Sequence, residues 1–158
     1  LQIYSMHTNF DKTQKGTSEL IASEYKIGGF HKINDYVVVS SFEKAIPISE
    51  ILSKTKLIFD IKNVKTVNYN EKRKIQNIAF CAGSGGDFIN EVIKNEIDLY
   101  ITSDLKYHQI QDLPENFCIF DVGHLESEKI CLKQIKKILE KEKTEILIAN
   151  EKSNIEIL

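Results

Sequence analysis

The sequence predicts an α/β protein in which at least part of the sheet is parallel. β-branched runs alternate with amphipathic runs along the chain, and no repeat or low-complexity tract interrupts them. One unit is diagnostic: "IQNIAFCAG", "SGG", "DFINEVIKNEI" and "DLYITS" follow one another as strand, loop, helix and strand. A crossover helix of this kind returns the chain to the same end of the sheet, so the two strands it joins run parallel.

Residues 1–5, "LQIYS", read as a strand already under way, and the polar loop "MHTNFDKTQKG" follows. "TSELIASEYKI" predicts a short helix with Leu20, Ile21 and Tyr25 on one face, closed by Gly28 and Gly29. "DYVVVSSF" is dense in β-branched residues and predicts a strand; Pro47 suits the first turn of a helix through "ISEILSKTKL". "KLIFDIKNVKTVNYNEKRK" fits one or two strands ending in a charged turn. In the βαβ unit Phe88, Val92 and Ile93 face inward. "LKYHQIQDL" predicts a short helix stopped by Pro114, and "FCIFDVG" a buried strand. "SEKICLKQIKKILEKEK" predicts the longest helix, its buried face running through Cys131, Leu132, Ile135, Ile138 and Leu139. "EILIAN" predicts a last strand.

The 158 residues suffice for one domain or for parts of two small ones. With 42% hydrophobic and 28% charged residues the chain is expected to fold and stay soluble. A net charge of -2 argues against nucleic acid as the main partner, because phosphate binding leaves a basic surplus. No apolar run is long enough for a membrane helix and no signal-peptide pattern opens the sequence. The three cysteines, Cys81, Cys118 and Cys131, lie in apolar stretches without CxxC spacing; they read as reduced core thiols of a cytoplasmic protein. The first residue is Leu1, and the chain reads as a piece of a longer protein.

Four places hold residues with chemistry. In "DVGHLESE", His124 and Glu128 stand four apart at the start of the long helix, hence on one side of it, while Glu126 points elsewhere. Two readings of that pair stand. Glu128 caps its own helix or bonds a core group beside a satisfied core histidine, or the pair binds a cation, since a buried carboxylate must be paired or ligated. In "HTNFD", His7 and Asp11 follow the first strand, where α/β proteins keep their sites, though both are ordinary turn residues. The loop of Gly83, Ser84, Gly85 and Gly86 offers backbone amides to an anion, or is a tight turn needing positive φ; it fits neither a P-loop nor a dinucleotide fingerprint. In "TSDLKYH", Asp104 suits a helix cap, and Lys106 and His108 either touch an anionic ligand or face water.

In this order, "YSMHTNFDKTQKG", "IAFCAGSGGDFINEVIKNEIDLYITSDLKYH" and "DVGHLESE" resemble the Nif-three-like family of dinuclear-metal proteins, the GTP cyclohydrolase I type 2 homologs. The resemblance covers most of the chain and is least distinctive between Tyr36 and Arg73. It implies two similar α/β domains with mixed sheets, a homo-hexameric toroid, and two divalent metal ions per full-length subunit at the domain interface. The family's ligands are a histidine pair in an HHP segment, the aspartate of HTNxD, and a histidine and glutamate four apart. Position by position, the last three fall on Asp11, His124 and Glu128, with Glu128 as the bridging group and His7 as a residue orienting Asp11. The histidine pair has no counterpart here, and "SNIEIL" lacks an expected proline.

The resemblance therefore implies about 85 residues before Leu1, a size in keeping with common domains. Residues 1–27 would end the first half of domain one, 28–120 would form domain two, and 121–158 would return to domain one. Zn, Mn, Fe and Ni all suit such ligands, and no catalytic residue is assigned. Metal binding by the 158-residue chain alone is expected to be weak or absent. Two functions are implied: a metal-dependent hydrolase of a small phosphorylated or nucleotide-like substrate, or a non-catalytic metal-binding scaffold or regulator.

Overall fold

The computed structural model of the chain describes residues 1–142 and 145–152; residues 153–158, including the "SNIEIL" segment, lie outside the described residues. Six strands form one sheet: β1 (Phe30–Lys32), β2 (Val38–Pro47), β3 (Lys65–Val67), β4 (Lys74–Ser84), β5 (Leu99–Ser103) and β6 (Cys118–Asp121). Their order across the sheet is β1-β2-β4-β5-β6-β3. β4, β5 and β6 run parallel, and the remaining pairings are antiparallel. The βαβ unit thus forms as the sequence predicts, within a mixed sheet.

Burial explains the strand sequences. Every residue of the central strand β5 is buried, so it needs no polar alternation. In β4 the side chains alternate. Ile78 and Phe80 join Leu99, Ile101, Cys118 and Phe120 on one face, covered by Ile21 and Ala22 of α2 (Thr17–Glu24), by Tyr25 just after it, and by Ile48, Ile51 and Phe59 of α3 (Ile48–Phe59). Ala79 and Cys81 join Tyr100 and Ile119 on the other face, under Ile89 and Val92 of α4 (Ile89–Lys94) and Ile110 of α5 (Tyr107–Ile110). The result is three layers, helix on sheet on helix. A buried hydrogen bond of 2.7 Å between Tyr25 Oη and Thr55 Oγ1 ties α2 to α3.

Four sequence expectations are corrected. Residues 1–5 and 145–150 are not strands, and Leu1, Ile3 and Tyr4 are exposed. A strand needs a neighbour to take up its backbone groups, and no described residue supplies one. α2 stops at Glu24, before the two glycines, with Lys26 taking a left-handed φ of 51°. The long C-terminal pattern breaks at Lys129 into α6 (His124–Glu128) and α7 (Ile130–Leu139), so the twelve-residue α3 is longer than the ten-residue α7. Finally, α7 has no buried residue; Ile138 and Leu139 are 47% and 44% exposed. Ile130, at its start, packs on the core, and the distal apolar stripe faces outward. No described helix is long and apolar enough to cross a membrane.

Candidate functional site

Because β4, β5 and β6 are parallel, their carboxyl ends lie at one edge of the sheet, where α/β proteins gather ligand-binding groups. At each of these ends one residue adopts a left-handed backbone: Gly83 (φ 63°), Asp104 (φ 55°) and Gly123 (φ 89°). Gly123 launches α6, which places His124 at the first helical position.

The imidazole of His124 is bracketed by two carboxylates. Its Nδ1 lies 2.5 Å from Asp104 Oδ2 and its Nε2 lies 3.0 Å from Glu128 Oε1, one turn along α6. The hydrogen bond to Asp104 chiefly raises the His124 pKa above its ordinary value; burial opposes it, and the charges of Glu128 and Asp104 and the hydrogen bond to Glu128 add to the rise. When protonated, the ring can donate to both acids, one at each nitrogen. The three side chains are 44%, 52% and 35% exposed for His124, Asp104 and Glu128. This corrects the expectation of an inward-facing pair: the buried residue of α6 is Ser127.

Ser127 fixes the height of the helix. Its Oγ accepts the Gly83 amide at 2.9 Å and donates to the His124 carbonyl at 2.8 Å. The Gly83 carbonyl accepts the hydroxyls of Ser103 at 2.6 Å and Thr102 at 3.2 Å. This close seating leaves no room for a side chain. A Cβ on Gly83 would lie 2.8 Å from Glu128 Oε1 and 3.3 Å from His124 Nε2. The glycine that reads as an anion loop in the sequence is the floor beneath the His124–Glu128 pair.

Asp11 reaches the same region from the other side. It ends the short helix α1 (Thr8–Asp11), and its Oδ1 accepts the buried hydroxyl of Thr17 at 2.6 Å. Gly16 lets the chain fold back so tightly that a Cβ there would fall 2.2 Å from the Asp11 carbonyl oxygen. Lys32 of β1 secures this turn, donating to the carbonyls of Lys12 and Thr13 and pairing with Glu19 at 3.3 Å. Asp11, His7 and Thr17 line a cleft of about 40 Å3 together with Glu128, Cys131 and Ile135. Burial chiefly, then the charges of Glu128 and Asp11, raise the Cys131 thiol pKa above its ordinary value.

The structure thus brings Asp11 and Glu128 to one cleft and pairs Glu128 with His124. His7 lines that cleft, while the hydrogen-bond partner of Asp11 is Thr17. Asp104 does not cap α5, whose N-cap is Lys106; it turns to His124. Lys106 and His108 are exposed, as is Ser84, whereas Gly83, Gly85 and Gly86 are buried. A Cβ on Gly85 would lie 2.2 Å from the Tyr100 hydroxyl, so close packing requires this glycine too. Thr17 and Ser127 do not stand out in the sequence. The signal for Ser127 is its spacing, three residues after His124 and on the helix side nearest the sheet.

Imidazole and carboxylate donors fit a divalent cation of the Zn, Mn, Fe or Ni type. The space between Nε2 of His124 and Oε1 of Glu128 lies where a cation shared by both would bind, and Gly83 adds no side chain to it. Among the described residues, no three His, Cys, Asp or Glu side chains are grouped tightly enough to hold one ion alone. The donors fit as a partial ligand set.

Comparison with known proteins agrees with the motif order. The chain is 32% identical over 158 residues to the GTP cyclohydrolase 1 type 2 homolog of Campylobacter jejuni, covering 97% of this chain and 61% of that protein. It is 32% identical to the protein of the same name from Clostridium perfringens, covering 89% and 57%. Among solved structures, reduced HcgD from Methanocaldococcus jannaschii superimposes with a TM-score of 0.74 at 26% identity, covering 87% of this chain and 56% of that one. The chain therefore spans about three fifths of the length of these relatives. Residues 1–155 match the model of the Duf34/NIF3 (NGG1p interacting factor 3) family, and the chain belongs to that family.

Proposed function

We propose that this chain carries part of a dinuclear metal site and belongs to a metal-dependent hydrolase acting on a small phosphorylated or nucleotide-like substrate. The observation that supports this reading is the bracketing of His124, with Nδ1 held by Asp104 and Nε2 turned to Glu128 beside a cleft that Asp11 also lines. A histidine ligand tied through its far nitrogen to a carboxylate is the usual arrangement at protein metal sites. Asp11 and Glu128 would hold the ions from opposite walls, and His124 would complete one of them. Bound divalent ions would supply Lewis acidity toward a phosphoryl or carbonyl oxygen and lower the pKa of water.

The chain's own residues do the rest. Thr17 aims Asp11, Ser127 sets the helix that presents His124, and Gly83 keeps the floor clear. Lys106 and His108, exposed beyond Asp104, would meet an anionic substrate. The relatives' name, GTP cyclohydrolase 1 type 2 homolog, points to hydrolytic opening of a guanine nucleotide ring as the first reaction to try.

The alternative is a metal-holding homo-oligomer without turnover, a hexamer by the family resemblance. It draws on the apolar stripe of α7, which is left outward with Ile138 and Leu139 exposed. One experiment separates the two. The full-length protein is loaded with Zn2+ or Mn2+ and screened against nucleotides and phosphoesters, with its mass followed by sedimentation. Metal-dependent turnover lost in Glu128→Gln supports the hydrolase. Metal-dependent assembly with no turnover above the metal-free control supports the scaffold, and failure of the full-length protein to retain metal rejects both.

A further inference from the structure

Asp104 and His124 are twenty residues apart and meet because β5 and β6 run parallel in register, with Thr102 beside Asp121. The chain leaves β5 through Asp104 itself, in a left-handed turn at φ 55° that ordinary residues avoid and aspartate tolerates. The carboxylate does not cap α5 and, among the described residues, pairs with no lysine; it meets Nδ1 of His124 at 2.5 Å. On the far side of the ring, Glu128 stands at the longer distance of 3.0 Å. A neutral imidazole has a single N–H, so these two acids compete for it, and the nitrogen that loses the proton keeps the lone pair that can bind a cation.

We propose that Asp104 is a positioning residue that holds the His124 N–H on Nδ1 and thereby reserves the Nε2 lone pair for a divalent cation shared with Glu128. This rests on the metal reading above for its purpose, but not for its geometry. The shorter contact decides the tautomer. The turn after β5 then does more than offer groups to a substrate: it sets which ring atom faces the cleft side of α6.

The test uses the purified full-length protein labelled with 15N at histidine, with the His124 signal assigned by its loss in His124→Asn. In metal-free wild type, at a pH above the titration of the ring, the neutral imidazole is expected to carry its proton on Nδ1. In Asp104→Ala it reverts to the Nε2–H form that free histidine prefers. Mn2+ titration is expected to show a 10- to 100-fold loss of affinity in Asp104→Ala. Asp104→Asn, whose side-chain carbonyl still accepts Nδ1–H, stays within a few-fold of wild type. Matched circular-dichroism spectra establish that the half-exposed substitutions leave the fold intact. An Nε2–H ring in wild type, or undiminished Mn2+ affinity in Asp104→Ala, overturns the proposal. If wild type takes up no Mn2+, the metal reading fails, and the tautomer alone decides the role of Asp104.

Discussion

The side-chain hydroxyl of Ser127 accepts the backbone amide of Gly83 at 2.9 Å, joining the end of β4 to the first turn of α6. Both residues are buried, so this amide has no water to fall back on. Ser127→Ala should cost about 1–3 kcal/mol, the usual penalty for stranding a buried donor. Urea unfolding would measure it, and an unchanged midpoint would show that the bond contributes nothing.

Gly83→Ala should destabilise more sharply than its size suggests. The added methyl meets a left-handed φ of 63° and lies 2.8 Å from Glu128 Oε1. The backbone conformation alone costs about 1–2 kcal/mol, and the displaced carboxylate should weaken any cation binding. Gly28, where a Cβ would meet nothing within 4 Å, is the control. Thermal melts of Gly83→Ala and Gly28→Ala should differ accordingly.

His124 predicts a pH dependence whose sign follows from its raised pKa. The protonated ring, paired with Asp104 and Glu128, adds its stability in full below the ordinary value of 6.5. That contribution is lost as pH rises through the higher folded-state value. In the metal-free protein the wild-type advantage over His124→Asn should therefore shrink from acid to alkaline pH in urea titrations.

Where the His124 ring is protonated, a divalent cation that binds Nε2 would have to displace the proton there. Calorimetry of the full-length protein in buffers of different ionisation enthalpy should show a proton released on divalent metal binding. Affinity should fall as pH is lowered. At a pH low enough for the free ring to be protonated, buffer-independent heats would mean that His124 does not ligate.

Thiol chemistry should single out Cys131. Burial drives the Cys81 thiol up to about 12 and the Cys118 thiol up to about 11, so neither offers thiolate at neutral pH. Cys131 is half-buried beside the cleft. Mass spectrometry after iodoacetamide treatment should find Cys131 alkylated well before the other two, and full-length protein loaded with metal should slow that reaction.

The strands β2, β4, β5 and β6 and the helix α3 were legible because each carries its own burial pattern over a long enough run. The terminal apolar segments misled for a physical reason: alternation shows what a strand would bury and says nothing of whether a neighbour exists to bond it. α7 shows the same limit, since its apolar stripe is present but uncovered at its distal end, Ile138 and Leu139. At the candidate site, the four-residue spacing of His124 and Glu128 was visible locally. The contact from Asp104 was not, because it depends on the register of two parallel strands. Nor was the hydroxyl of Thr17 on Asp11, which depends on how tightly Gly16 lets the chain double back.

Lys32 sits on the edge strand at one margin of the sheet, yet its ammonium group grips the very turn that carries Asp11. The turn behind that carboxylate is thus braced by a residue that does not line the cleft. Neutralising the lysine would loosen the turn that follows Asp11 while leaving the cleft-lining side chains themselves unchanged.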